Sequence, residues 1–289
     1  MKQLINNIFL TGISIVKIIL LSKWFNTLKH KSAKKSCVII GNGPSFNTSI
    51  LQYKEAFLKH ELICVNNFAN TDYYEDLKPR YYLLQAPILF QSNENSSPFY
   101  IKMRDELFIN IAQKTAWELN LMVPFRAKKS KEFLNVLQRN KFIKVHYFND
   151  IAIEGFDRFK FTCYTLKLGM PRPHNVLIPS IINAICMGFK EINILGADHS
   201  WLSEISVNNK NEALVNQKHF YDETVSKPQK MEDYIKRPRK LHEIIHKFYL
   251  TFKGYWDIEK FSKINNVQIY NASEHSMIDA FERRLLKQK

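Results

Sequence analysis

Polar residues gather where several apolar runs of this chain end, and they carry its chemistry. Cys37-Val38-Ile39-Ile40 runs into Gly41-Asn42-Gly43-Pro44-Ser45. Leu62-Ile63-Cys64-Val65 runs into Asn66-Asn67, and Ile192-Asn193-Ile194-Leu195 into Gly196-Ala197-Asp198-His199-Ser200-Trp201. Such runs read as core strands, and in open α/β sheets ligands bind beyond the carboxyl ends of strands. Glycines in the first turn let backbone approach a phosphate, and a helix opening after them offers unpaired N–H groups to an anion. The turn is neither a Walker A loop nor a full G-x-G-x-x-G, because no third glycine follows. An ordinary tight turn with a serine N-cap has the same sequence.

Proton transfer needs a group that titrates near neutrality, so the histidines come next. His219 lies in Lys218-His219-Phe220-Tyr221-Asp222. Its imidazole suits a general base, and the Tyr221 hydroxyl suits a donor to a departing phosphate. A solvated, idle loop histidine is the competing reading. His242 and His246 are spaced i, i+4 within Lys240-Leu241-His242-Glu243-Ile244-Ile245-His246, the spacing of one helix face. That pair could ligate a metal, but no third ligand is evident. His199 stands directly at a strand end. Asp198 stands without an Asp-x-Asp partner, so it either serves the site or caps its own turn.

These residues are positioned by alternating elements. Strands are expected over 36–40, 62–65, 81–84, 145–148, 191–195 and 267–270. Helices are expected over 51–59, 101–119, 133–138, 176–187, 241–252 and 256–263. That alternation predicts an α/β fold, a mainly parallel Rossmann-like sheet with helices on both faces. The polar, charged stretch 203–239 reads as a lid inserted after a strand. The domain division is therefore a segment at 1–35 and an α/β domain at 36–289 that includes the lid.

Residues Ile5 to Phe25 are apolar but interrupted by Lys17, and no small-residue cleavage site follows. The uninterrupted stretch is short for a membrane span. With Trp24, Phe25, Lys29, Lys31, Lys34 and Lys35 beyond it, the expectation is an amphipathic helix lying in an anionic membrane interface. A helix packed on the protein's own core is the alternative. The net charge of +15 favours polyanionic partners, and a solvated basic surface gives the same number. Lysines are spread along the chain and no zinc knuckle or RNP sequence occurs, so nucleic acid is not expected. The four cysteines, Cys37, Cys64, Cys163 and Cys186, form no CxxC pair, and three of them sit in apolar runs. They read as small buried hydrophobes of a reducing compartment and not as zinc ligands.

The turn Gly41-Asn42-Gly43-Pro44-Ser45 resembles the opening of the bacterial lipooligosaccharide sialyltransferases. The likeness continues through Val65-Asn66-Asn67-Phe68, Ala86-Pro87-Ile88-Leu89-Phe90, and Gly188-Phe189-Lys190-Glu191-Ile192 running into Gly196-Ala197-Asp198. Asn271 and Ser273 after a late strand also fit. The blocks are short and separated, and they span residues 36 to 281. Pterin-pyrophosphokinase-like proteins of surface-glycan clusters share the Gly-Pro-Ser turn.

The resemblance implies a variant of the GT-A glycosyltransferase fold. It also implies inverting transfer of a sialic-acid-type nonulosonate from a CMP-activated donor to a surface-glycan or lipid-linked acceptor. No cofactor is expected, and a divalent metal is neither required nor excluded. The location implied is cytoplasmic, peripheral to the inner face of the cell membrane, with self-association left open. Asn42 and Asn66 would contact the cytidine nucleotide, and Ser45 would sit near its phosphate. Gly41, Gly43, Pro44, Asn67, Arg172, His174, Asn175, Asp198, Ser200, Asn271 and Ser273 complete the expected donor-binding set. The family's lid histidine, its general base, falls to His219 or His242. His219, Tyr221 and His199 form the expected catalytic set. The sequence departs from the family at Ala86, where an Asn is usual. It departs again after Arg172, where His174-Asn175-Val176 replaces a Thr-Ser pair, and near Asp198, where His199, Ser200 and Trp201 stand near the place of a Tyr. Two alternatives stay open: a transferase using another nucleotide-activated or phosphate-bearing donor, and a non-catalytic membrane-associated nucleotide-binding scaffold.

Overall fold

β-branched and aliphatic side chains dominate the central runs that become strands, and the runs at 36–40, 62–65 and 191–195 stop at Gly41, Asn66 and Gly196. The computed structural model describes residues 1–289 except 26, 27, 30–32, 92–97, 138, 217–226, 233–236 and 287–289. The chain opens with α1 (Lys2–Leu21), β1 (Ser36–Ile40), α2 (Ser45–Leu58), β2 (Glu61–Val65), α3 (Tyr73–Leu77) and β3 (Tyr81–Leu83). There follow α4 (Pro98–Lys114), β4 (Leu119–Pro124), α5 (Lys131–Leu137), β5 (Ile143–Phe148), α6 (Asp157–Thr165), α7 (Leu177–Met187) and β6 (Glu191–Leu195). The last part holds β7 (Ile205–Val207), β8 (Ala213–Val215), β9 (Gln229–Lys230), α8 (Leu241–Ile264), β10 (Gln268–Asn271) and β11 (Glu282–Arg283).

Eight strands form one parallel sheet in the order β11-β10-β6-β1-β2-β3-β4-β5. The chain winds outward from β1 to β5, then returns to place β6 on the other side of β1. The strand order reverses between β1 and β6, with Ile40 level with Leu195. Such a switch point opens a crevice at the strands' carboxyl ends.

Alternate residues of each strand face opposite layers. Ile39, Ile63, Val65 and Leu83 pack under α6, α7 and α8 with Tyr164, Ile178, Ile181, Ile258 and Phe261. Val38, Ile40, Leu62, Cys64 and Leu121 pack under α2, α4 and α5 with Phe46, Phe57, Leu107, Phe108 and Phe133. Both faces are covered, so the strands read as continuous apolar runs. Cys37, Cys64 and Cys163 are buried in these layers and all four thiols are free. Burial pushes the Cys37 and Cys64 thiols well up.

Several elements differ from the sequence expectation, which also lacked α3 and β11. Helix α4 stops at Lys114, and residues from Leu119 become β4, which pairs with both β3 and β5. A short apolar run does not reveal its period, and the vacant place between two strands settles it. Helix α6 was not foreseen. The segments 241–252 and 256–263 are one helix, α8, running through Gly254. A Cβ at Gly254 would lie 3.2 Å from Ile178 Cδ1, so the glycine lets α8 approach α7 closely. The buried Lys160 ammonium, 2.7 Å from Asp257, ties α6 to the same helix. Within 203–239, β7, β8 and β9 form a small antiparallel sheet. Its Ala213 and Val215 pack on Ile244 and Phe248 of α8.

Helix α1 has two unlike faces. Ser14 accepts from the Glu154 N–H at 2.9 Å and donates to the Glu154 carbonyl at 3.0 Å, and Thr11 accepts from the Phe156 N–H. Gly155, at φ +117, lies between them where any Cβ would strike Thr11. Ile18 packs on the core, and Ser22 donates to the Leu168 carbonyl. On the other faces Leu4, Ile5, Ile8, Phe9, Val16, Ile19 and Leu20 are exposed. The helix is 20 residues long, an 18-residue stretch of it has a mean hydropathy of 2.0, and it is long and apolar enough to cross a membrane by length and composition.

Candidate functional site

The carboxyl ends of β1 and β6 are joined by backbone. The Gly41 N–H donates to the Leu195 carbonyl and the Gly43 N–H to the Gly196 carbonyl, both at 2.7 Å. A Cβ at Gly41 would sit 2.5 Å from the Gly196 oxygen, and one at Gly196 would sit 2.5 Å from the Gly41 oxygen. No side chain fits at either place, which is why both strand ends turn on glycine.

Asp198 closes this junction. Its Oδ2 accepts from the Ser45 backbone N–H at 2.9 Å, and its Oδ1 accepts from the Ser45 hydroxyl. Ser45 is the first residue of α2, so Asp198 takes a helix N–H that an anion would otherwise use. Burial pushes the Asp198 carboxyl up, and the two Ser45 hydrogen bonds act against that. Behind the junction, the Ser273 hydroxyl accepts from the Ala197 N–H at 2.9 Å, and Asn271 accepts from the Ser273 N–H. Both side chains are buried and brace the strand end; neither lines the cavity described next.

Over the switch point lies a cavity of about 330 Å³. One wall is Gly41, Asn42, Gly43, Pro44, Asn66, Gln85 and Pro87. Asn42 donates to the Val65 carbonyl at 3.3 Å, while its buried Oδ1 has no partner. Asn66 adopts φ 45, a left-handed backbone that Asn tolerates, and its Oδ1 accepts from the Gln85 N–H at 3.2 Å. The Gln85 Nε2 donates to Asp150 Oδ2 at 3.5 Å, and the buried Oε1 is also without a partner. Arg126 steadies this wall by donating to the Gln85 carbonyl at 2.6 Å and pairing with Asp150. Asn67 turns away from the cavity toward Met103.

The opposite wall comes from the loop before α7, the turn after β6 and α8. It includes His174, Asn175, His199, Ser200, Trp201, Lys247 and Thr251. Asn175 accepts from the Leu177 and Ile178 N–H groups, which caps α7, and donates to the Tyr255 hydroxyl at 2.9 Å. That hydroxyl meets His199 Nε2 at 2.6 Å. Since Tyr255 already accepts from Asn175, the consistent arrangement has its O–H donating to an unprotonated Nε2. His199 is buried, left-handed at φ 53, and stacked on Trp201 with ring centroids 4.0 Å apart. Burial holds its pKa down to about 3. His199 is thus a neutral, oriented imidazole.

His174 also has a lowered pKa, about 4, from burial and from Lys247, Arg172, Arg239 and His246. Its Nε2 has no partner. Arg172 pairs with Glu154 at 2.7 Å outside the cavity lining. His219 and Tyr221 lie outside the described residues. His242 and His246 are exposed on α8, and among the described residues no group of three or more His, Cys, Asp or Glu is placed to hold a metal.

Sequence reasoning missed Gln85, Lys247, Thr251 and Tyr255. Gln85 follows a foreseen strand by one residue and had no motif to mark it. Lys247, Thr251 and Tyr255 are spaced by four and share one helix face, a signal hidden once α8 was divided in two.

No family model matches the chain, and no curated protein matches it. Among solved structures, the fold is similar to the MAf glycosyltransferase from Magnetospirillum magneticum AMB-1, with a TM-score of 0.50 and 12% identity. The match covers 99% of this chain and 39% of that one, so the chain spans well under half of that protein's length. At this identity the likeness is one of fold: a glycosyltransferase-like α/β architecture.

Proposed function

We propose that this chain is a glycosyltransferase that moves a sialic-acid-type nonulosonate from a CMP-activated donor to a surface-glycan or lipid-linked acceptor, with inversion. The observation that carries the reading is the switch-point cavity with two unpaired amide oxygens, Asn42 Oδ1 and Gln85 Oε1, beside the Gly41–Pro44 backbone. Buried acceptors without partners favour a ligand that brings donors, such as the cytosine amino group and ribose hydroxyls. The fold's likeness to a protein described as a glycosyltransferase adds support.

In this reaction the acceptor hydroxyl attacks the anomeric carbon as the bond from that carbon to the phosphate oxygen breaks. CMP leaves with the electron pair, and a base takes the hydroxyl proton. His199 is ill suited as that base, because its Nε2 is engaged by Tyr255 and its pKa is far below neutrality. His219 keeps that role in the proposal, with Tyr221 as a donor to the leaving phosphate. The transfer is proposed to need no cofactor or divalent metal. The exposed apolar faces of α1 and the net charge of +15 support a place on the anionic cytoplasmic surface of a membrane.

A thermal-shift screen tests the donor. CMP and CDP should raise the melting temperature more than AMP or UMP, and the same order should appear when CMP-, UDP- and GDP-sugars are assayed for hydrolysis. Equal shifts for all nucleotides would remove the cytidine assignment.

A further inference from the structure

The wall of the cavity facing the Gly41–Pro44 turn carries positive charge that the protein itself leaves unbalanced. Lys247 projects from α8 into the cavity lining, half-buried, and among the described residues its ammonium meets no carboxylate; it lies 3.8 Å from Met231 Sδ. Arg239 is not itself part of the cavity lining; its backbone N–H donates at 2.8 Å to the carbonyl of Met231, the residue Lys247 meets, it is near enough to act on the Lys247 charge, and its buried Nε has no partner. His174 faces the same cavity with Nε2 unpaired. The neighbouring cations are compensated: Arg172 pairs with Glu154 and Arg237 with Glu243. Lys247 and Arg239 thus stand apart from them among the described residues, and His174 adds a neutral ring with a free nitrogen.

An ammonium drawn out of water without a counter-ion is costly, and the protein tolerates it where a ligand supplies the missing charge. The lowered pKa of Lys247, caused by burial and then by Arg239, agrees with that cost. A lysine, an arginine fork and an imidazole offer donors in several directions, which suits a tetrahedral dianion better than a single planar carboxylate.

We propose that Lys247, Arg239 and His174 form a phosphate seat on the α8 side of the cavity. The seat deepens the functional reading above and rests on it only for the source of the phosphate. That source is either the leaving nucleotide or a phosphate carried by the acceptor, such as a lipid-linked diphosphate, and the chemistry of recognition is shared.

Inorganic pyrophosphate, which has no base or sugar, is the probe. Calorimetric titration of the full chain should show binding that weakens about tenfold or more in Lys247→Met and in Arg239→Gln, and by less in His174→Gln. Lys263→Met, at the far exposed end of the same helix, should bind as the native chain does. Lys247→Met keeps the stem of the side chain, and its melting temperature, expected to be unchanged or raised, shows that the fold is intact. Repeating the titration with saturating CMP separates the sources. Competition assigns the seat to the donor's phosphate, and simultaneous binding assigns it to the acceptor. No pyrophosphate binding, or equal binding by native chain and Lys247→Met, overturns the proposal. Because the probe carries no cytosine, failure of the cytidine screen leaves this result standing, and the reverse also holds.

Discussion

His199 shows how one residue's chemistry is set by what surrounds it. Its type and its place at a strand end make it a candidate base, yet Tyr255 engages Nε2 and burial keeps the ring neutral. The consequence is a pH dependence of stability. The folded pKa is about 3, below the unfolded value near 6.5, so the unfolded chain binds a proton that the folded chain refuses. Stability is therefore full above about pH 6.5 and falls as pH drops toward the folded value, by about 1.4 kcal/mol per pH unit for this one group. Denaturant unfolding between pH 7.5 and 4.5 should show that slope reduced in His199→Asn, even though the variant is less stable at pH 7.5. An unchanged slope would mean that the ring is protonated or solvated in the folded protein. The lid histidine is a separate matter. His219→Ala should lower transfer by about 10²-fold or more, the usual size for losing a general base, with CMP binding kept and His242→Ala milder. Steady-state kinetics of the two variants decide between them. Loss confined to His242→Ala would move the base to α8, and loss in neither would return attention to the cavity wall.

At the scale of elements, α8 and α1 do the positioning. One face of α8 carries Lys247 and Thr251 to the cavity and Tyr255, behind the lining, to Asn175 and His199, while Ile258 and Phe261 further along anchor it in the core. The site therefore depends on the register of a single long helix against α7. Helix α1 docks on the protein, the alternative expectation, and leaves other faces exposed. The stripe Thr11, Ser14, Ile18 and Ser22 docks on the protein, while Ile8 and Ile19 point outward. The proposed membrane role would rest on the outward faces alone, and point changes there test it more cleanly than truncation, which would also remove the Ser14–Glu154 hydrogen bonds. Ile8→Glu combined with Ile19→Glu should cut co-sedimentation with vesicles containing anionic lipid about tenfold or more, because buried apolar area drives interfacial binding. The melting temperature should stay within a degree or two, since neither side chain is buried. Undiminished vesicle binding would detach α1 from the membrane reading.

Over the whole molecule, the doubly wound sheet determines where chemistry is possible. The polar features of the cavity lie at the carboxyl ends of β1, β2 and β6, just beyond β3 at Gln85, on the loop before α7, and on α8. The sequence by itself determined the α/β class, most strands, and the glycine turns at Gly41 and Gly196, because β-branched runs ended by Gly or Asn are local signals. It marked Asn42, Asn66, His174, Asn175, His199 and Ser200, and the structure brings all of these to one cavity. Only the tertiary structure decided that Ser45 and Asp198, 153 residues apart, bind each other, and that Asn67, Asn271 and Ser273 face elsewhere. It alone showed Leu119–Pro124 as a strand, α8 as continuous, and Gln85, Lys247 and Tyr255 as cavity neighbours. The reason is physical. Periodicity and turn chemistry act between residues a few positions apart, whereas strand order, helix phase and burial are fixed by packing among distant segments. Whether a polar group meets a partner or stands open to a ligand is settled by that packing.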